Sequence, residues 1–179
     1  MTRAVSNSTA TKQTRADDVA RVPVHRRIFL DSNVLIYAYS ASDPDKRDRA
    51  RALADDPGAI ISTQVLSEFA NVLMRKFATP LPEARRLTSE LAARCEVITV
   101  TPAIILEAFR ICERYRFGFF DGQVIASALA AGAATLYSED LHHAQTIDGM
   151  LRVVSPFAPA AHQRRSAYRS GRPLRAGTP

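Results

Sequence analysis

The chain has 179 residues, 46% of them hydrophobic and 23% charged, the length and balance of one globular domain with loose ends. No apolar run approaches the roughly 20 residues a membrane span requires. The N-terminus is polar, Ser/Thr-rich and basic rather than apolar like a secretory leader, so a cytoplasmic setting is expected. Of the net charge of +6, residues 1–27 carry +4 and residues 158–179 carry +5, which leaves −3 for the body between them. Basic ends suit a polyanionic partner or simple solubilisation, and composition leaves both open. Cys95 and Cys112 have no CxxC spacing and no Cys/His neighbours, so buried free thiols are expected and a zinc site is not.

In chain order, residues 1–25 have no apolar periodicity and are expected to be a disordered basic extension. The domain is expected over 26–157, with a second basic, disordered tail over 158–179. Ile28-Phe29-Leu30 is a continuous apolar run that predicts a buried parallel strand, ending in Asp31. Asp31-Ser32-Asn33 supplies capping side chains for a helix beginning near Val34. A second helix is predicted from Asp45 to Leu53, and a strand over Ala59–Ser62. Val65, Phe69, Val72 and Leu73 give Thr63–Phe77 a helical spacing. Pro80 and Pro82 break the chain before a helix to Arg94. Glu96–Val100 is β-branched and strand-like. Thr101-Pro102 is a helix start, and Asp121 is expected to open a small-residue helix ending at Gly132. Thr135–Tyr137 and Leu151–Val154 complete a set of short strands. Strands alternating with helices predict an α/β fold with a mostly parallel sheet of four to five strands.

In such sheets ligands bind beyond the carboxyl ends of the strands. Asp31 and Asp140 follow predicted strands, Asp121 lies at a loop-to-helix junction, and Glu68 lies about one and a half turns into its helix. Each has an ordinary reading by itself. Asp31 and Asp121 could be N-caps, Glu68 a solvated helix-face acid, and Asp140 part of a surface turn with Glu139. Read together, four acids converging without a nearby lysine would repel one another, and a hard cation such as Mg²⁺ or Mn²⁺ would remove that conflict. The set suits phosphodiester hydrolysis, with one or two metals left open.

The motifs sharpen this reading. RIFLDSNVLIY over residues 27–37 resembles the opening motif of PIN-domain proteins. STQVLSEF over 62–69 resembles their second motif, FDGQVIASA over 120–128 their third, and LYSEDL over 136–141 their fourth. The matches run in order over about residues 27–157. The resemblance implies a three-layer α/β/α fold and a metal-dependent ribonuclease site of Asp31, Glu68, Asp121 and Asp140, with Mg²⁺ or Mn²⁺ as cofactor and Asn33 and Ser138 as supporting polar groups. The chain is most similar to the VapC-like toxins of toxin–antitoxin pairs. This implies an RNA substrate, a VapB-like antitoxin and a homodimer, with no membrane partner. Three positions depart from the family pattern: Gly122 where Ala is usual, Ala144 where Gly is usual, and Ser155 where Asn is common.

Arg114 and Arg116, beside Tyr115 and Phe117, are candidate RNA contacts, with core aromatics flanked by solvated arginines as the alternative. His142-His143 reads as a solvated loop rather than a ligand pair. Two competing functions remain at this level. A catalytically silent RNA-binding or interaction module could use the same scaffold. A phosphatase of the haloacid-dehalogenase type would use Asp31 as nucleophile, but it expects Asp where Asn33 stands and Thr where Leu35 stands.

Overall fold

A computed structural model describes residues 26–40 and 42–158. The extensions expected at 1–25 and 158–179 lie outside these residues, apart from Ala158. Six strands form one sheet: β1 (Ile28–Leu30), β2 (Ala59–Ser62), β3 (Glu96–Ile98), β4 (Thr135–Tyr137), β5 (Thr146–Ile147) and β6 (Leu151–Val154). Their order is β3-β2-β1-β4-β6-β5. Every pairing is parallel except that of β5 with β6. The count exceeds the expected four to five because of β5, whose two residues are too short to show any periodicity.

The central strands are largely apolar, as burial on both faces favours, with Ser62 and Thr135 as buried polar residues. Phe29, Leu30, Ile60, Ile61 and Leu136 are fully buried. Between the strands run α1 (Ser32–Tyr39), α2 (Pro44–Ala54), α3 (Thr63–Arg75), α4 (Leu81–Arg94), α5 (Pro102–Tyr115) and α6 (Phe119–Ala130). Their starts follow capping chemistry. Asp43, Ser62 and Thr101 each accept a backbone N–H of the helix they precede, and Pro follows Asp43 and Thr101 directly. Helices α1–α4 connect β1, β2 and β3, and α5–α6 return the chain to β4, so the right-handed rule for parallel crossovers assigns the two groups to opposite faces of the sheet. Accordingly α1 packs on α2 and α3, α3 on α4, and α5 on α6. The chain leaves β1 towards β2 and β3 but returns to β4 on the other side. The carboxyl ends of β1 and β4 therefore flank the crevice where the strand order reverses.

Two local expectations change, at Asp121 and at Cys112. The helix at 119–130 is capped by Gly118, so Asp121 falls in its first turn instead of opening it. Cys95 is buried, and burial pushes its thiol pKa up, but Cys112 is only half-buried, with its Sγ 3.5 Å from the Gly118 carbonyl. Gly122 is buried where α6 meets α5. A Cβ there would stand 2.6 Å from Cys112 Sγ and 3.0 Å from the Ala108 carbonyl. Ala144 adopts a left-handed backbone with φ of 68°, which is where glycine is at home. No helix among the described residues is long and apolar enough to cross a membrane.

Candidate active site

Four elements converge on the crevice. Asp31 ends β1 and caps α1, with Oδ1 accepting the Ser32 N–H at 2.7 Å. Its Oδ2 accepts from the Ser138 hydroxyl at 2.7 Å and from Asn33 Nδ2 at 3.1 Å. Asn33 Nδ2 also lies 3.0 Å from Asp140 Oδ2, and Asn33 Oδ1 accepts the Glu139 N–H at 3.3 Å. Asn33 thereby spans the end of β1 and the loop after β4. From α3, Glu68 accepts the Ser32 hydroxyl on Oε2 at 2.8 Å and Gln64 Nε2 on Oε1 at 3.0 Å. Gln64 Nε2 reaches on to the Phe120 carbonyl, the residue before Asp121.

The electrostatics show that these carboxylates share one field. Asp31 is 8% exposed. Burial pushes its pKa up to about 6, against the hydrogen bonds from Ser138 and Ser32, and the charges of Glu68 and Asp140 push the same way. Asp121 is exposed at the rim, yet its carboxyl is also raised, by partial desolvation first and then by Asp140 and Glu68. Among the described residues, no lysine, arginine or histidine forms an ion pair with any of the four. The neighbouring acid Glu139 is different, because Lys46 pairs with it while also donating to the Tyr37 hydroxyl. Of the adjacent pair in the fourth motif, Asp140 faces the pocket and Glu139 is neutralised.

An all-oxygen donor set in which Asp31 and Asp121 are raised, with no basic ion-pair partner among the described residues, suits a hard divalent cation. As the side chains stand, no three of them among the described residues form a ready ligand group. Each is held instead by a neutral donor or faces solvent. Neutral hydrogen bonds orient carboxylates without cancelling their charge, so the set keeps the repulsion that an ion would relieve.

Of the candidate RNA contacts, Arg114 has an acidic partner of its own. Arg114 is 3.1 Å from Asp148, and its guanidinium sits over the Tyr115 ring. Asp148 occupies the turn before β6, at the end of the sheet where the parallel strands begin, opposite the acids. Arg110 and then Tyr115 hold the Asp148 carboxyl below its usual range. Arg116 ends α5 in a left-handed conformation with φ of 62°. Arg114 is thus paired with Asp148 and not with any of the four acids. His142 is exposed and packs near Phe117, while His143 Nδ1 accepts the Ser155 N–H at 3.0 Å, joining the loop to the end of β6. A solvated loop describes His142 but not His143, which is half-buried with Nε2 lacking a hydrogen-bond partner among the described residues.

Two residues of the network were not among the sequence candidates. Gln64 stands four residues before Glu68, a spacing that puts the two on one helix face and was legible. Ser32 gave only a cap signal, and nothing local ties it to a glutamate 36 positions away.

Comparison with known proteins agrees with this geometry. The family model for the PIN domain matches residues 28–148. A search of the curated proteins finds no match. Among solved structures, a toxin–antitoxin complex from Klebsiella pneumoniae superposes with a TM-score of 0.56 at 23% identity, covering 73% of this chain and 98% of that one. The sarcin-ricin loop cleaving toxin VapC20 of Mycobacterium tuberculosis gives 0.53 at 20% identity, covering 63% and 91%. VapBC2 from Rickettsia felis, bound to a promoter DNA fragment, gives 0.53 at 18%, covering 72% and 98%.

Proposed function

The chain belongs to the PIN-domain family, and from that premise we propose that it is a metal-dependent endoribonuclease, the toxin of a VapBC-type toxin–antitoxin pair. The observation that carries the proposal is the gathering of Asp31, Glu68, Asp121 and Asp140 in one crevice with no basic partner among the described residues. Similarity to structures described as a sarcin-ricin loop cleaving toxin and as a toxin–antitoxin complex supports it. Family membership leaves the phosphatase reading without support. Asn33 stands where that chemistry needs a second Asp, and it is committed to Asp31 and Asp140.

Asp31, Glu68, Asp121 and Asp140 would hold Mg²⁺ or Mn²⁺. The bound cation would polarise a phosphodiester oxygen and lower the pKa of water. The protein's own contributions are orientation and charge. Ser138 and Asn33 aim Asp31, Asn33 restrains Asp140, and Ser32 links the Asp31 cap to Glu68. The open rim at Asp121 and Asp140 admits a single-stranded or looped RNA. A VapB-like antitoxin would cover the same acidic crevice, and the pair would act in the cytoplasm with the toxin as a homodimer.

The test is cleavage of RNA by the purified, antitoxin-free chain with Mg²⁺ or Mn²⁺, with EDTA, and with Asp31→Asn. Cleavage should be lost with EDTA and fall at least 100-fold in the variant, about the loss expected when a group stabilising transition-state charge is removed. Cleavage indifferent to both would overturn the proposal. Tight RNA binding without cleavage under any metal would favour a silent binding module.

A further inference from the structure

Besides Asn33, a second carboxamide touches the acids. Gln64 lies on the first turn of α3 and is half-buried. Its Nε2 donates to Glu68 Oε1 at 3.0 Å and reaches the Phe120 carbonyl at 3.3 Å. Phe120 immediately precedes Asp121 in the first turn of α6. The arrangement repeats that of Asn33, whose Nδ2 lies between Asp31 and Asp140. One carboxamide joins the end of β1 to the loop after β4. The other joins α3 to α6.

The direction of the Gln64 amide is set by its neighbours. Turned over, its oxygen would face a carboxylate and a carbonyl, acceptor against acceptor. In the orientation present, Oε1 is buried with no hydrogen-bond partner among the described residues. Methionine or leucine would fill this helix position without stranding an acceptor. What glutamine alone supplies here is its pair of amide hydrogens, directed at Glu68 and at the backbone beside Asp121.

The geometry points to Gln64 as a positioning residue that holds the Glu68 carboxylate towards the pocket and ties it to the segment carrying Asp121. This inference rests on the metal-site reading above and deepens it. Gln64 acts through Glu68 and is not itself one of the acids that hold the ion. Partners that orient ligating groups typically cost 10–100-fold in metal affinity when removed.

The experiment measures Mn²⁺ binding to the full chain by titration calorimetry, for wild type, Gln64→Met, Glu68→Gln and the double variant. Gln64→Met should weaken Mn²⁺ binding about 10-fold, with its melting temperature in EDTA unchanged. In the Glu68→Gln background the same change should have no further effect, because its target is gone. Wild-type affinity in Gln64→Met overturns the inference alone. So does an equal loss in both backgrounds, or a lowered melting temperature with unaltered binding, since each marks a role independent of Glu68. If the wild type binds no Mn²⁺, the metal reading fails first and takes this inference with it.

Discussion

Asp31 carries two roles on one carboxylate. As an N-cap it stabilises α1, and as a buried acid it stores charge that the fold does not neutralise. Its folded pKa of about 6 stands above the unfolded value of 3.8. The folded state therefore keeps the proton longer, and ionisation costs stability as pH rises from about 4 to above 6. The full penalty at neutral pH is about 3 kcal/mol. Asn in its place has the same shape, can still cap the helix and carries no charge. In EDTA, the stability of Asp31→Asn relative to wild type should rise over that pH interval, as read by urea midpoints at pH 4.5 and 7.5. A difference that stays flat with pH would contradict the raised carboxyl. The trade is an ordinary one for a functional site: charge costly to the bare fold is what gives a cation its purchase.

Helix and hairpin contacts explain two of the departures from the family pattern. At Gly122, α6 comes so close to α5 that the side chain of Cys112 occupies the space an alanine would need. Gly122→Ala should cost about 1–3 kcal/mol by overpacking. Adding Cys112→Ala should restore part of that loss, while the Ala108 carbonyl at 3.0 Å keeps the recovery incomplete. Additive costs in thermal or urea unfolding would show that the two positions do not share the space. In the loop before β5, Ala144 adopts a left-handed conformation while its N–H reaches the Val153 carbonyl. Ala144→Gly removes the steric strain but adds chain entropy to the unfolded state. It should stabilise the protein by up to about 1 kcal/mol. A drop in melting temperature would mean that the backbone there carries no strain worth relieving.

Across the whole molecule, exposed apolar surface runs up to the acids, because Phe120 directly precedes Asp121. The body between the basic ends carries −3 and the candidate site concentrates acids, so the proposed RNA substrate would be drawn by a bound cation or by the basic ends. Packed against α6, α5 buries Ile104, Ala108 and Ile111 and turns Leu106 and Phe109 outward, at 69% and 53% exposure. Phe109 and Phe119 stack at 5.0 Å, and the exposed Phe120 continues the apolar surface. An apolar surface of this kind suits the expected homodimer. Leu106→Asp should give a monomer by light scattering with the fold intact by circular dichroism. A wild-type chain that is already monomeric would remove the basis for that expectation.

The amino-acid sequence by itself determined the alternation of strands and helices, the capping of α1 by Asp31 and the order of the four acidic motifs. These signals are short-ranged: apolar runs, capping residues and proline positions act within a few neighbours. Tertiary structure alone decided which side chains meet. Asn33 and Asp140, 107 positions apart, come within hydrogen-bond distance because β1 and β4 are adjacent strands. It also decided that Glu139 is spent on Lys46, that Arg114 is held by Asp148 at the far end of the sheet, and that Thr146 and Ile147 form a sixth strand. Pairing across a sheet and between crossovers depends on chain topology, which no local pattern of residue types encodes.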